Sequence, residues 1–134
     1  MHSFLPLKKV YAMPIKDLLK PEKTFRITGM LRIESEDDRF LGPGRLELLE
    51  NIIETGSISQ AAKQMGMSYK KAWDLVNSMN QHTIKPIVST QTGGEKGGGT
   101  LVTEEGKQLI AAFRKLHEEF QQSFDEKIKV FLQS

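Results

Sequence analysis

Two glycines ten residues apart set the frame for this chain. Between Gly56 and Gly66 runs Ser57-Ile58-Ser59-Gln60-Ala61-Ala62-Lys63-Gln64-Met65, too short to hold a helix without packing against something else. Ser57 followed three residues later by Gln60 reads as a capping box, which satisfies orphan N–H groups at a helix start. The spacing predicts a helix over Ile58 to Met65 with Ala61, Ala62 and Met65 turned inward, and Gly66 suits the left-handed conformation that ends it. Ser68 then caps a second helix from Tyr69 to about Gln81, with Ala72, Val76 and Met79 on one stripe. Two short helices joined by about three residues around a glycine describe a helix-turn-helix. The small alanines let the second helix cross the first closely.

The residues after this pair narrow the choice. Beyond Pro86 the period changes: Ile87-Val88-Ser89-Thr90-Gln91-Thr92 is β-prone, and Thr100-Leu101-Val102 resumes the strand past the glycine-rich Gly93-Gly94-Glu95-Lys96-Gly97-Gly98-Gly99. A hairpin directly after a helix-turn-helix is a wing. Thr103 with Glu104 and Glu105 opens a last helix running to about Leu132. Its apolar positions, Leu109, Phe113, Leu116, Phe120, Phe124, Ile128 and Phe131, are spaced by four or three. At 1.5 Å per residue such a helix is roughly 43 Å long, more than a body of this size can cover. A second copy is expected to cover Phe113, Leu116, Phe120, Phe124 and Ile128, with a fold-back of residues 1–24 as the alternative.

Ahead of the pair, Phe25-Arg26-Ile27-Thr28-Gly29-Met30-Leu31-Arg32-Ile33-Glu34 alternates across Phe25, Ile27, Leu31 and Ile33, predicting a half-buried strand with Gly29 as a bulge. Glu36-Asp37-Asp38 and Gly42-Pro43-Gly44 break it. A helix from Gly44 to Thr55 places Leu46, Leu49, Ile52 and Ile53 on one stripe, and Gly56 stops it. Residues 1–24 carry three prolines and at most a short helix over Ile15 to Leu19. The expected architecture is mainly α with a small β component. It divides into an extension over 1–24, a winged helix-turn-helix over 25–106 and a long C-terminal dimerisation helix over 107–134.

Composition serves mainly to exclude. There is no cysteine, so disulfide scaffolds, cysteine zinc sites, iron–sulfur clusters and thiol nucleophiles fall away. The histidines His2, His82 and His117 lie in unrelated segments without metal-ligand spacing, and neither an enzyme nor a cofactor is expected. No apolar run approaches the ~20 residues of a membrane span, and the first residues lack the order of a signal peptide, so a cytoplasmic protein is expected. Gly94 to Thr100 reads G-x-x-x-x-G-T and lacks the lysine of a phosphate-binding P-loop. The net charge is only +2, but residues 57–102 hold Lys63, Lys70, Lys71, Lys85 and Lys96 against Asp74 and Glu95 alone.

That basic excess falls on the helix pair and its wing. Lys70, Asp74 and Asn77 lie at i, i+4 and i+7, opposite the apolar stripe of the second helix, with Lys71 and Ser78 beside them. Such a helix places its N-terminal residues in a major groove, where lysine reaches guanine acceptors and asparagine pairs with adenine. Asp74 either accepts from cytosine or orients a lysine. Ser57, Ser59, Gln60 and Ser68, near exposed helix starts, suit phosphates, and Lys96 at the wing tip suits the DNA backbone. Tyr69 and Trp73 are expected to pack beneath the recognition helix. The rival readings are a winged-helix protein-interaction module and a small oxyanion sensor.

Gly56-Ser57-Ile58-Ser59-Gln60-Ala61-Ala62-Lys63, Met67-Ser68-Tyr69-Lys70-Lys71-Ala72-Trp73-Asp74 and Met79-Asn80 resemble the DNA-binding domain of the molybdate-responsive ModE regulators. So does Thr92-Gly93-Gly94-Glu95-Lys96-Gly97-Gly98-Gly99 with Leu101, Thr103 and Gly106 and the long helix after them. The resemblance spans about residues 26–130 and implies a dimeric, LysR-like winged helix with Ser57, Ser59, Lys70, Lys71 and Lys96 at or near double-stranded DNA. Family members that sense molybdate carry further oxyanion-binding domains after the long helix. Molybdate binding is accordingly not expected of these residues by themselves.

Overall fold

Local signals build the helices in the computed structural model, which describes residues 13–91 and 99–134. Helix α1 (Pro43–Thr55) begins with a proline in its first turn, where a missing N–H costs nothing, and ends at Gly56 with φ 69°, whose N–H donates to the Ile52 carbonyl at 2.7 Å. Helix α2 (Ile58–Gln64) starts from Ser57, whose hydroxyl accepts from the Gln60 amide at 3.1 Å. Only that arm of the expected box forms, because the Ser57 amide is already taken by the Thr55 hydroxyl at 3.2 Å. Gly66, at φ 67°, turns the chain into α3 (Tyr69–Asn80), where the Ser68 hydroxyl accepts from the Lys71 amide at 3.0 Å.

Two short antiparallel hairpins accompany the helices. The first pairs β1 (Ile33–Glu34) with β2 (Arg39–Leu41), its register shifting between Ile33 and Glu34. The sequence expectation of one strand over 25–34 is corrected here. Residues 25–32 have no partner strand among the described residues to take up their backbone hydrogen bonds, and Phe25 and Met30 are exposed. Gly29 is not a bulge, and the partner strand β2 has no counterpart in the sequence expectation. The second hairpin pairs β3 (Val88–Gln91) with β4 (Gly99–Val102), in register from Val88↔Val102 to Gln91↔Gly99. Helix α4 (Glu104–Gln133) comes next, capped by the Thr103 hydroxyl, which accepts from the Gly106 amide at 3.1 Å.

The chain forms two compact units, Gly29–Glu118 and a second made of 13–28 with Glu119–Ser134 among the described residues. The larger unit has its core between the helix pair and the second hairpin. Leu48, Leu49, Ile52, Met79 and Ile87 are fully buried, each contributing about 1.5–3 kcal/mol by leaving water. Ala61, Ala62 and Ala72 are buried where α2 and α3 cross. Ile53, placed on the buried stripe by sequence, is exposed, and Leu48 takes the inward position instead. Ile110 and Phe113 bury the first turns of α4 in this same core, and α4 belongs to the larger unit as far as Glu118.

Where the first turn of α4 meets Ile87, the residue before β3, the backbones nearly touch. A Cβ on Gly106 would lie 2.4 Å from the Ile87 carbonyl oxygen and 2.7 Å from Val102 Cγ1, so only glycine fits. In the smaller unit, a single 3₁₀ turn (Ile15–Leu18) sits where a short helix is expected, and the Ile15 amide donates to the Ser134 carbonyl at 2.8 Å.

Candidate DNA-binding surface

Helix α3 carries one apolar stripe and one polar face. Ala72, Val76 and Met79 are buried, which turns Lys70, Asp74 and Asn77 away from the core. The Lys70 ammonium donates to the Asp74 carboxylate at 2.9 Å, one helical turn away, so Asp74 holds a lysine, the second of the two roles its position allows. Both groups are exposed, and such a pair adds only about 0.3–0.5 kcal/mol to the helix. Its effect is positional, since it sets the reach of Lys70. Lys71 is exposed and makes no ion pair among the described residues.

Asn77 is half-buried in a shallow cleft with Trp73, Asn80 and Thr90, between α3 and β3. Ser59, Gln60 and Ser68 are exposed at the starts of α2 and α3, and Ser57 is half-buried. Ser57 and Ser59 share a second shallow cleft with Tyr69, Thr90 and Gly99. The residues named from sequence for DNA thus fall together on α2, α3 and their caps, with one exception. Lys96 lies outside the described residues.

Tyr69 and Trp73 correct the expectation of a core role. They are 55% and 45% exposed, and they stand on the wing side of α3 with their rings partly in solvent.

The wing is fastened to α3 by one side chain that sequence reasoning missed. The Asn80 carbonyl oxygen accepts from the Ile87 and Val88 amides at 2.8 and 3.1 Å, while its amide donates to the Val88 carbonyl at 2.9 Å. A second tie joins the Thr100 amide to the Gly56 carbonyl at 2.9 Å, fixing β4 to the turn between α1 and α2. These bonds anchor β3 to the end of α3 and β4 to the turn before α2.

The first hairpin is fastened to the opposite flank of α3. The Ser78 hydroxyl donates to Asp38 at 2.8 Å and accepts from Arg45 at 3.1 Å, and Arg45 also donates to the Arg39 and Phe40 carbonyls. The Ser78 hydrogen bond, then the Arg39 amide, hold the Asp38 carboxyl below its ordinary value; the Arg45 charge adds to this, against a partial loss of hydration. His82 completes the join, its Nδ1 donating to the Ser78 carbonyl at 2.8 Å and its ring stacking on Phe40. Because a carbonyl can only accept, Nδ1 carries the proton, which leaves Nε2 facing the Ser35 hydroxyl at 2.8 Å.

Of the residues named for a dimer interface, Phe113 is excluded, since it is buried in the core of its own chain. Leu116, Phe124 and Ile128 are half-buried and Phe120 is exposed; Phe120 and Phe124 meet edge to face with centroids 5.5 Å apart. Phe131 and Val130 are exposed as well. No helix among the described residues is long and apolar enough to cross a membrane.

Residues 43–107, from the start of α1 to the first turn of α4, match the family described as bacterial regulatory helix-turn-helix protein, lysR family. A DNA-binding transcriptional dual regulator ModE from Escherichia coli (strain K12) is 42% identical over 96 residues, covering 72% of this chain and 37% of that protein. A molybdenum transport protein ModE from Azotobacter vinelandii is 37% identical over 100 residues, 75% of this chain and 37% of that one. The molybdenum-pterin-binding protein MopB of Rhodobacter capsulatus is 48% identical over 73 residues, 54% of this chain and 27% of that one. The chain therefore spans 37% of the length of the two ModE proteins and 27% of MopB, and the shared part is a DNA-binding domain and not a catalytic one. Residues 43–107 of the chain are a lysR-type bacterial regulatory helix-turn-helix domain, similar to the DNA-binding domain of ModE transcriptional regulators.

Proposed function

We propose that this chain regulates transcription by binding double-stranded DNA as a homodimer on a roughly palindromic operator. The observation that carries the reading is the face of α3, where Lys70, Lys71 and Asp74 are exposed and Asn77 is half-exposed beside them, over a core that fixes the helix from behind. In the proposed complex the first turns of α3 enter a major groove. Lys71 and Asn77 read base edges, while Ser57, Ser59, Gln60 and Ser68 set register on phosphates. Lys70, steered by Asp74, and Lys96, between the wing strands, are assigned to the backbone. Two such helices related by a two-fold axis would lie about one DNA turn, roughly 34 Å, apart.

The test is selection of bound genomic fragments followed by titration at several salt concentrations. Lys71→Ala or Asn77→Ala is expected to cost about 1–3 kcal/mol at the selected site and to relax preference at one base position. Equal losses on every sequence would remove the recognition role of α3. Binding that is absent, or insensitive to salt, would favour a protein-interaction module instead.

A further inference from the structure

Helix α3 has two flanks, with Trp73, Asn77 and Asn80 toward the wing and Lys71, Leu75 and Ser78 toward the first hairpin. On the hairpin flank lies a cleft of about 370 Å³ lined by four cationic residues, Arg32, Arg39, Arg45 and Lys71, and by no carboxylate. Two nearby acids pair with two of these cations from outside the lining: Asp38, which also accepts from Ser78, with Arg45 at 3.7 Å, and Glu34 with Arg39 at 3.8 Å. Arg32 and Lys71 have no ion-pair partner among the described residues.

The base of the cleft adds to the same sign. It is formed by Gly42, Pro43 and Gly44, where α1 begins and its dipole is positive. The stem of Arg32 lies across Gly42, with Cγ 3.4 Å from where a Cβ would stand, and the space over Gly44 is open. Leu41, Met67 and Leu75 supply apolar walls, which lower the local dielectric and strengthen any contact with an anion. Arg39 and Arg45 each face one carboxylate, whereas Arg32 and Lys71 have none among the described residues and repel one another until an anion enters.

Lys71 decides which anion. It lies in the first turn of α3, the end that enters the groove, so whatever fills the cleft lies beside bound DNA. We propose that the cleft seats a backbone phosphate at the edge of that groove, its apolar walls accepting the neighbouring deoxyribose. The first hairpin then acts as a second wing, gripping DNA on the flank opposite the glycine wing. The proposal rests on the DNA-binding reading of α3.

Titration of the full chain with selected and unrelated duplexes over a range of salt tests it. Arg32→Ala is expected to weaken binding roughly tenfold on all sequences alike, and to reduce the slope of log affinity against log salt by about 1. Arg32→Lys should keep that slope, and Arg39→Ala should act in the same direction as Arg32→Ala, with folding checked by circular dichroism. Wild-type slopes in both alanine variants would overturn the second wing alone, leaving the regulator reading intact. Loss of inorganic phosphate binding in Arg32→Ala with unchanged DNA affinity would overturn it too, in favour of a small free anion. A wild-type chain without salt-dependent DNA binding would overturn both readings.

Discussion

Gly106 shows how much can depend on a missing side chain. Thr103 caps α4 while its hydroxyl donates to the Pro86 carbonyl at 2.8 Å and its amide donates to Ile87 at 3.0 Å, which brings the helix down onto the strand. Gly106→Ala forces a Cβ into the Ile87 carbonyl, and overpacking of this kind costs about 1–3 kcal/mol. Urea unfolding should show the loss, and an unchanged midpoint would contradict the close approach. Asp38 makes a prediction of the opposite, electrostatic kind. Its folded pKa is lowered, so its contribution is fully present above the unfolded value near 3.8 and is lost as pH falls through the folded one. The stability difference between wild type and Asp38→Asn should therefore be constant from neutral pH to about pH 5 and shrink below about pH 4. A difference that grows on acidification would show that Asp38 is not held in its charged form.

At the scale of elements, the wing depends on Asn80 more than on its own strands. Two short strands are marginal without support, and Asn80 satisfies three backbone groups at the strand start. Asn80→Ala should cost about 1–3 kcal/mol and speed hydrogen exchange at the Ile87 and Val88 amides, while the α2 and α3 amides bonded to the Ser57 and Ser68 caps keep their protection. This difference between elements matches what the sequence makes legible. The helix pair can be read because its signals are local: Ser57 and Ser68 cap within three residues, and Gly56 and Gly66 adopt the left-handed turns they suit. The first hairpin cannot, because β2 exists only through pairing with β1 and through Arg45, Ser78 and His82 reaching from other elements. Alternation over 25–34 reads as a strand since periodicity says nothing about a partner. The same limit applies to the site. The polar face of α3 follows from helical spacing, whereas the cleft of Arg32, Arg39, Arg45 and Lys71 gathers residues from separate segments.

For the whole molecule, the unmet demand is on α4. Phe120 and Phe131 are 42% and 52% exposed, with Phe124 and Ile128 half-covered between them. A phenylalanine taken wholly out of water gains about 1.5–3 kcal/mol, so covering the exposed half of each ring gains about half of that, which favours the proposed second copy. Light scattering should find dimers of the wild type and monomers of Phe120→Asp, with helical circular dichroism retained and DNA affinity lower by at least roughly tenfold. A wild-type monomer at micromolar concentration would end the dimer and the palindromic operator together. The ties from Gly56 to Thr100 and from Asn80 to Ile87 and Val88 have a consequence for how such a protein can diverge. Because Gln91 and Gly99 are already paired, the two ends of the segment 92–98 are fixed by the body and not by the segment itself. The cost of closing a loop between fixed ends grows only with the logarithm of its length, about 0.6 kcal/mol per doubling. In the proposed complex, insertions there would lengthen the reach of the wing along DNA while leaving the register of α3 untouched, so binding-site length and base preference would be free to evolve separately.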